Sequence, residues 1–167
     1  MSKLDGGGRE PGVRDAESSR DKALDYLATH HVMTLATVGS EGPWAAAVFY
    51  VSVGTTLYFL SSPNSRHCRN LAQNAAVAAT IQEDYSDWPR IKGVQLDGTV
   101  VELSGKEEAE ARRLYAEKFP VIGLAAQAPS AIVKALARVR WYRLRPEHMH
   151  FIDNSAGFGQ RADIPLG

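Results

Sequence analysis

The stretch 42–71, "GPWAAAVFYVSVGTTLYFLSSPNSRHCRNL", decides the fold. Gly42 and Pro43 open a run rich in aromatic and β-branched residues, Gly54 interrupts it, and "TLYFLSS" resumes it, the pattern of two adjacent strands joined by a tight turn. The second strand ends at Ser61 and Ser62, the chain turns through Pro63-Asn64-Ser65, and a short helix begins near Arg66. A helix start carries unpaired N–H groups and a partial positive charge, and Arg66 adds a bidentate fork, so the junction suits an anion. The competing reading is plain capping by Asn64 or Ser65 with Arg66 and Arg69 in solvent.

Working outward, "VMTLATVG" (32–39) supplies a strand ahead of this pair, so three strands follow in meander order. Before it, "SSRDKALDYLATHH" places Ser18 or Ser19 as a cap and Leu24, Leu27 and Ala28 on one face of a first helix. Residues 1–17 combine glycines, a proline and alternating charges with little apolar content, which predicts a flexible tail ahead of one domain over 18–167. After the central stretch, "AAVAATIQED" is apolar enough for a buried strand, although its alanines leave a helix open. "VQLDGTVVEL" alternates around Asp97-Gly98, a dipeptide that marks a hairpin or a bulge. "SGKEEAEARRLYAEKFP" reads as a helix with acids first and Pro120 as its stop, and "PSAIVKALARV" as another with proline at its start. "RWYRLRPEHMHFI" reads as the last strand. The expected fold is mainly β (α+β): an antiparallel barrel of about six strands with inserted helices, rather than a doubly wound parallel sheet.

Composition narrows the function. Lys plus Arg equals Asp plus Glu at 19 each, so no global basic field favours nucleic acid, and any anion site must be local. The single cysteine, Cys68, excludes an intramolecular disulfide framework. With no apolar stretch of membrane-spanning length and no secretory pattern at the N-terminus, a cytoplasmic protein with no membrane partner is expected. Three consecutive alanines at 45–47 are unusual in a strand and leave room for a flat ring to approach the backbone; a tightly packed barrel corner is the competing explanation.

The order of these pieces resembles the FMN-binding split-barrel proteins of the pyridoxamine 5'-phosphate oxidase-like superfamily. The shared features are a first helix, a "TLATVGSEG" strand, a Pro-led second strand, a third strand ending in serine, and the basic "SRHCRNL" helix start followed by "NAAVAATI". The resemblance covers residues 20 to about 155, and "HFIDNSAGFGQR" is similar to a small bacterial branch of that superfamily. It implies an antiparallel split barrel, an FMN cofactor in the groove of a homodimer, and oxidoreductase chemistry on a small-molecule substrate or electron donor. It further implies that Trp44, Ala45, Ala46, Ala47, Val48 and Phe49 run beside the isoalloxazine ring. Ser61 and Ser62 would then lie near the ribityl chain or phosphate, Arg66 and His67 would hold the phosphate, and Lys92 and Gly93 would approach the pyrimidine edge. His67 departs from the family pattern, which more often has lysine there. Phe158 and Arg161 in the terminal "GFGQR" suit a segment folding over the flavin, against the plainer reading of a frayed end.

Pyridoxamine 5'-phosphate oxidase activity itself is not expected. Those enzymes resemble one another in a C-terminal tryptophan followed by an Arg-x-His group, whereas this chain ends in "FIDNSAGFGQRADIPLG". No catalytic residue is assigned. The alternatives are a non-catalytic FMN-binding or redox-sensing protein, a haem-binding relative using His148 or His150, and a deazaflavin binder. His148 and His150 alternate onto one strand face without a third partner at local spacing, so no metal site is expected. His30-His31 ends the first helix, Trp88 and Arg90 lie in a loop, and Cys68 reads as a packing residue. The aromatic set Trp44, Phe49, Tyr50, Tyr58, Phe59, Trp141, Tyr142 and Phe151 exceeds what one small barrel needs for a core, which points to a homodimer interface.

Overall fold

The computed structural model describes residues 13–120, 130–155, 157 and 159–166. Helix α1 spans Val13–Thr29 and is followed by strands β1 (Val32–Gly39), β2 (Gly42–Val53) and β3 (Thr56–Ser61). Helix α2 (Arg66–Leu71), β4 (Ala76–Gln82), a 3₁₀ turn (Trp88–Arg90), β5 (Lys92–Glu102) and α3 (Gly105–Lys118) come next. Helix α4 (Ser130–Leu136), β6 (Arg140–Asp153) and β7 (Arg161–Asp163) complete the described chain.

All pairings are antiparallel, in the order β3-β2-β1-β4-β5-β6-β7, and β3 also pairs with β6. That last pairing closes a six-stranded barrel, the expected fold class. The length of β6 explains how it serves three neighbours: its first half bonds β3 through pairs such as Leu57↔Leu144, and its second half bonds β7 through Phe151↔Ala162. Closure removes the sheet edges that an open meander would expose. The short terminal strand β7 lies beyond the strand expected to be the last, since three residues are too few to show a period.

Asp97-Gly98 lies within one continuous strand rather than a hairpin, and the register against β6 shifts there, Glu147 of β6 falling between the partners of Asp97 and Gly98, His148 and Pro146. Glycine is required there, because a Cβ at position 98 would lie 2.2 Å from the Arg145 carbonyl oxygen. The first helix begins at Val13, ahead of the expected cap at Ser18 or Ser19.

Alternation along the strands fills the barrel with Met33, Leu35, Tyr50, Leu57, Phe59, Val94, Leu144 and Met149. Helix α1 lays Ala23, Tyr26 and Leu27 against this core, and the Tyr50 hydroxyl donates to the Leu27 carbonyl at 2.8 Å. Helix α3 packs outside the barrel, where Ala111 and Tyr115 cover Val51, Leu103 and Trp141, with the Tyr115 and Trp141 rings edge to face at 5.4 Å. At the end of α3 the Lys118 ammonium donates to the His30 carbonyl and lies 4.6 Å from the Tyr50 ring centroid. Burial lowers its pKa to about 8. The aromatic set is therefore largely consumed by one chain: Tyr50, Phe59, Tyr142 and Phe151 fill the barrel, Trp141 and Tyr58 pack under α3, and Trp44 and Phe49 stay exposed.

Candidate functional site

The junction between β3 and α2 builds a polar cradle. Its turn is closed by the Ser65 N–H donating to the Ser62 carbonyl at 3.0 Å, and Ser65 then caps α2 by accepting from the Cys68 N–H at 3.4 Å. With only six residues, α2 buries His67, Cys68 and Asn70 and leaves Arg66 and Arg69 to one side. His67 Nε2 lies 2.6 Å from Ser61 Oγ and 3.1 Å from Ser65 Oγ. One ring nitrogen thus gathers two hydroxyls, and the imidazole is a fixed, buried member of the cradle. Burial raises the Cys68 thiol, but hydrogen bonds with His67, Ser65, Tyr142 and Ser61 outweigh it and leave the thiol below its ordinary value. The same thiol is buried, as its expected packing role requires.

Arg66 reaches from α2 to the β1–β2 turn. Its Nη2 donates to the Glu41 carbonyl at 2.7 Å, and its guanidinium carbon lies 4.6 Å from the Trp44 ring centroid. Among the described residues its buried Nε has no hydrogen-bond partner, the Glu41 carboxylate standing 3.8 Å away. Arg69 donates to the Asn64 carbonyl at 2.5 Å and lies 4.0 Å from the same carboxylate. Glu41 is a site residue that sequence reasoning missed. Its only sequence signal is an acid in the turn "GSEG", and it lies 25 residues from Arg66.

Beneath this cradle, Asn70 donates to Thr37 Oγ1 at 3.1 Å, both buried. Gly39 makes the contact possible, since a Cβ there would sit 2.2 Å from Asn70 Oδ1.

Strand β2 leads away from Trp44. Its alternation turns Ala45, Ala47 and Phe49 outward, while Ala46 is half-buried and Val48 is in the barrel core. Of the residues expected beside a flavin ring, Val48 therefore has no side chain to offer. Across the register, Ala45 faces Ala36 and Ala36 faces Ala78, while Ala47 faces Thr34 and Thr34 faces Thr80. The result is a smooth outer sheet face, bordered by the exposed side chains of Val32, Val38 and Phe49.

The remaining expected contacts lie at the other end of the strands. Gly93 pairs with Gln82 and Ile152, Ile152 pairs with Arg161, and this row continues toward Val32 and Phe49. Trp44 pairs with Thr37, five residues along β1, a separation of about 17 Å at ~3.3 Å per residue. Gly93 is buried, with the Ile81 carbonyl oxygen 3.0 Å from where a Cβ would be, so its smallness serves packing between β4 and β5. Lys92 Nζ lies 3.9 Å from Asp153, and Ser62 and Arg161 are exposed. Phe158 lies outside the described residues. One chain therefore brings Trp44, Ser61, Arg66 and His67 together and holds Lys92, Gly93 and Arg161 apart from them.

Trp88 is 68% exposed on its 3₁₀ turn. Asn154 Nδ2 donates to its carbonyl at 3.0 Å. His148 Nδ1 lies 2.8 Å from Asp97 on β5, and His150 Nδ1 lies 2.6 Å from Asp163 on β7, so carboxylates hold the two rings from opposite sides of β6. Asp97 raises the His148 pKa.

A family profile described as pyridoxamine 5'-phosphate oxidase matches residues 19–153. A UPF0306 protein of Klebsiella pneumoniae is 35% identical over 138 residues, covering 81% of this chain and 86% of its own. Among solved structures, a haem-binding protein from Mycobacterium smegmatis superposes with TM-score 0.68 at 24% identity, covering 93% of this chain and 60% of its own. HutZ, the haem storage protein from Vibrio cholerae, superposes with TM-score 0.63 at 20% identity, covering 77% and 90%. The closed barrel, the residues matched and the identity to the UPF0306 protein agree: the chain belongs to the pyridoxamine 5'-phosphate oxidase family of split-barrel proteins.

Proposed function

We propose that this protein binds FMN in the groove of a homodimer and works as an oxidoreductase on a small molecule. The observation that carries the reading is the Arg66 side chain. Its Nε is buried without a hydrogen-bond partner among the described residues, and Arg66 directly precedes His67, whose ring gathers the Ser61 and Ser65 hydroxyls. A buried guanidinium N–H without an acceptor is costly, and a phosphate oxygen would satisfy it. In this reading Arg66, Ser61 and Ser65 hold the phosphate, and the outward alanines at 45 and 47 leave space for the ring along β2. The flavin supplies the redox chemistry, and the chain supplies binding, orientation and access to the reactive ring.

Two features favour a shared site. The residues expected at the two ends of the cofactor lie at opposite ends of the strands, so a second copy would bring one chain's Lys92 and Arg161 toward the other's cradle. The smooth outer face with Val32, Val38 and Phe49 at 40%, 50% and 56% exposure gives such a copy apolar surface to cover. Titrating the protein with FMN and with riboflavin, read by quenching of flavin fluorescence, checks the proposal. Tight FMN binding and much weaker riboflavin binding are expected, and equal affinities would remove the phosphate cradle from the account.

A second reading is haem binding, favoured by the names of the two solved relatives above and by His148 and His150. Each ring has Nδ1 on a carboxylate, the arrangement that orients an imidazole and leaves Nε2 for iron. Haemin titration with a Soret shift abolished by His148→Ala or His150→Ala would favour it over flavin.

A further inference from the structure

A cavity of about 470 Å³ lies between the turn 62–64 and the segment 137–140 that leads into β6. Its volume is in the range of small-molecule sites. Among the described residues, the charged side chains lining it are both cationic, Arg138 and Arg140, and no carboxylate lines it. Arg140 is partly occupied, its Nε lying 3.7 Å from Glu102. Among the described residues, Arg138 has no ion pair or hydrogen bond. The opposite wall supplies Ser62, whose oxygen accepts from the Asn64 N–H at 3.4 Å and keeps its own proton to donate, and the Asn64 side-chain amide. Pro63 and Val139 add an apolar surface between these donors.

We infer that this cavity binds a small organic anion, one carboxylate or phosphate group on a compact apolar body. Donors line both walls, the guanidinium fork of each arginine suits such a group, and the apolar residues contact the rest of the molecule. The cavity shares the turn 62–65 with the Arg66 cradle but draws its cations from a different segment, so the inference does not rest on flavin binding. If flavin binding holds as well, the anion is the natural candidate for substrate or effector, because Ser61 of the cradle pairs directly with Arg140 across β3 and β6.

The experiment titrates benzoate, phenyl phosphate and neutral benzyl alcohol into the ¹⁵N-labelled full-length protein, following backbone amide shifts. The expected result is saturable binding of at least one anion, with shifts in both 62–64 and 137–140 and none from benzyl alcohol. Arg138→Ala should weaken it on the order of tenfold, Arg138→Lys should recover part of the loss, and Arg66→Ala should leave it unchanged. Arg138 makes no ion pair or hydrogen bond among the described residues, so an unchanged thermal midpoint in Arg138→Ala verifies that the variant is folded. The inference is overturned if neither anion binds, if benzyl alcohol binds equally, or if the shifts centre on Glu41 and Arg66 and survive Arg138→Ala. Comparing benzoate with phenyl phosphate separates a carboxylate site from a phosphate site.

Discussion

Replacing Arg66 with alanine removes the guanidinium whose Nε is buried without a hydrogen-bond partner among the described residues, 3.8 Å from the Glu41 carboxylate, and whose Nη2 bonds the Glu41 carbonyl. If that guanidinium receives the phosphate, FMN loses a charge-assisted hydrogen bond, about 1.5–3 kcal/mol or roughly 10- to 150-fold in affinity. The loss should fall in the lower part of this range, because in the free protein Arg66 already interacts with Glu41 and must exchange that partner for the ligand. The Arg66–Glu41 pair is itself modest: with side chains 25% and 64% exposed, its contribution is about 0.2–1 kcal/mol. Glu41→Gln should therefore tighten FMN by no more than about fivefold. Riboflavin, lacking the phosphate, should bind both variants as it binds the natural chain. Fluorescence titrations at fixed ionic strength measure all of these, and the double variant closes the cycle: once Arg66 is gone, Glu41→Gln should gain little. Equal losses for FMN and riboflavin in Arg66→Ala, or an undiminished Glu41→Gln gain without Arg66, would refute the reasoning.

Other outcomes follow from the same structure. Gly39→Ala forces Asn70 away from Thr37, leaving buried polar groups unpaired, and should cost about 1–3 kcal/mol in denaturant unfolding without changing the slope. Asp97 raises the His148 pKa above its ordinary value, so the pair stabilises the fold below about pH 6.5 and that contribution disappears as pH rises through the raised value. In Asp97→Asn, NMR titration should find His148 back near its ordinary value, and an unmoved titration would deny the pairing. Phe49→Glu places a charge on the smooth face at 56% exposure, so the isolated fold should survive while sedimentation shows monomers and flavin content falls. A variant that stays dimeric and holds its full flavin would clear this face of the interface.

Much of the fold was legible because the strands announce themselves locally. The run around Gly54 and the turn before Arg66 fixed β2, β3 and α2, and closure of the barrel follows from having enough antiparallel strands to use up the edges. What depended on tertiary pairing was less legible. Asp97-Gly98 permits a hairpin or a bulge in sequence, and only the pairing with β6 shows a continuous strand, with the register shift taken up at Glu147 on β6 and Gly98 making room for Arg145 and Pro146. Trp141 and Tyr142 are neighbours facing opposite ways, yet both are buried, because α3 covers the outer face that alternation alone would leave to solvent. In the site, Ser61, Arg66 and His67 share one local turn and could be read together, whereas Glu41 comes from a distant turn. His67 illustrates the same limit: the resemblance places it at the phosphate, and the two hydroxyls that fix it become neighbours of its ring nitrogen only once the turn is folded.

The decisive measurement is the absorption spectrum of the protein after saturation with FMN and removal of free ligand by gel filtration. FMN held by its phosphate in a shared groove should co-elute with a dimer at about one flavin per chain, giving flavin bands in the near-UV and blue that riboflavin loading does not reproduce. Protein that emerges colourless after FMN saturation, or that takes up haemin with a Soret band while excluding flavin, would be incompatible with the proposed function.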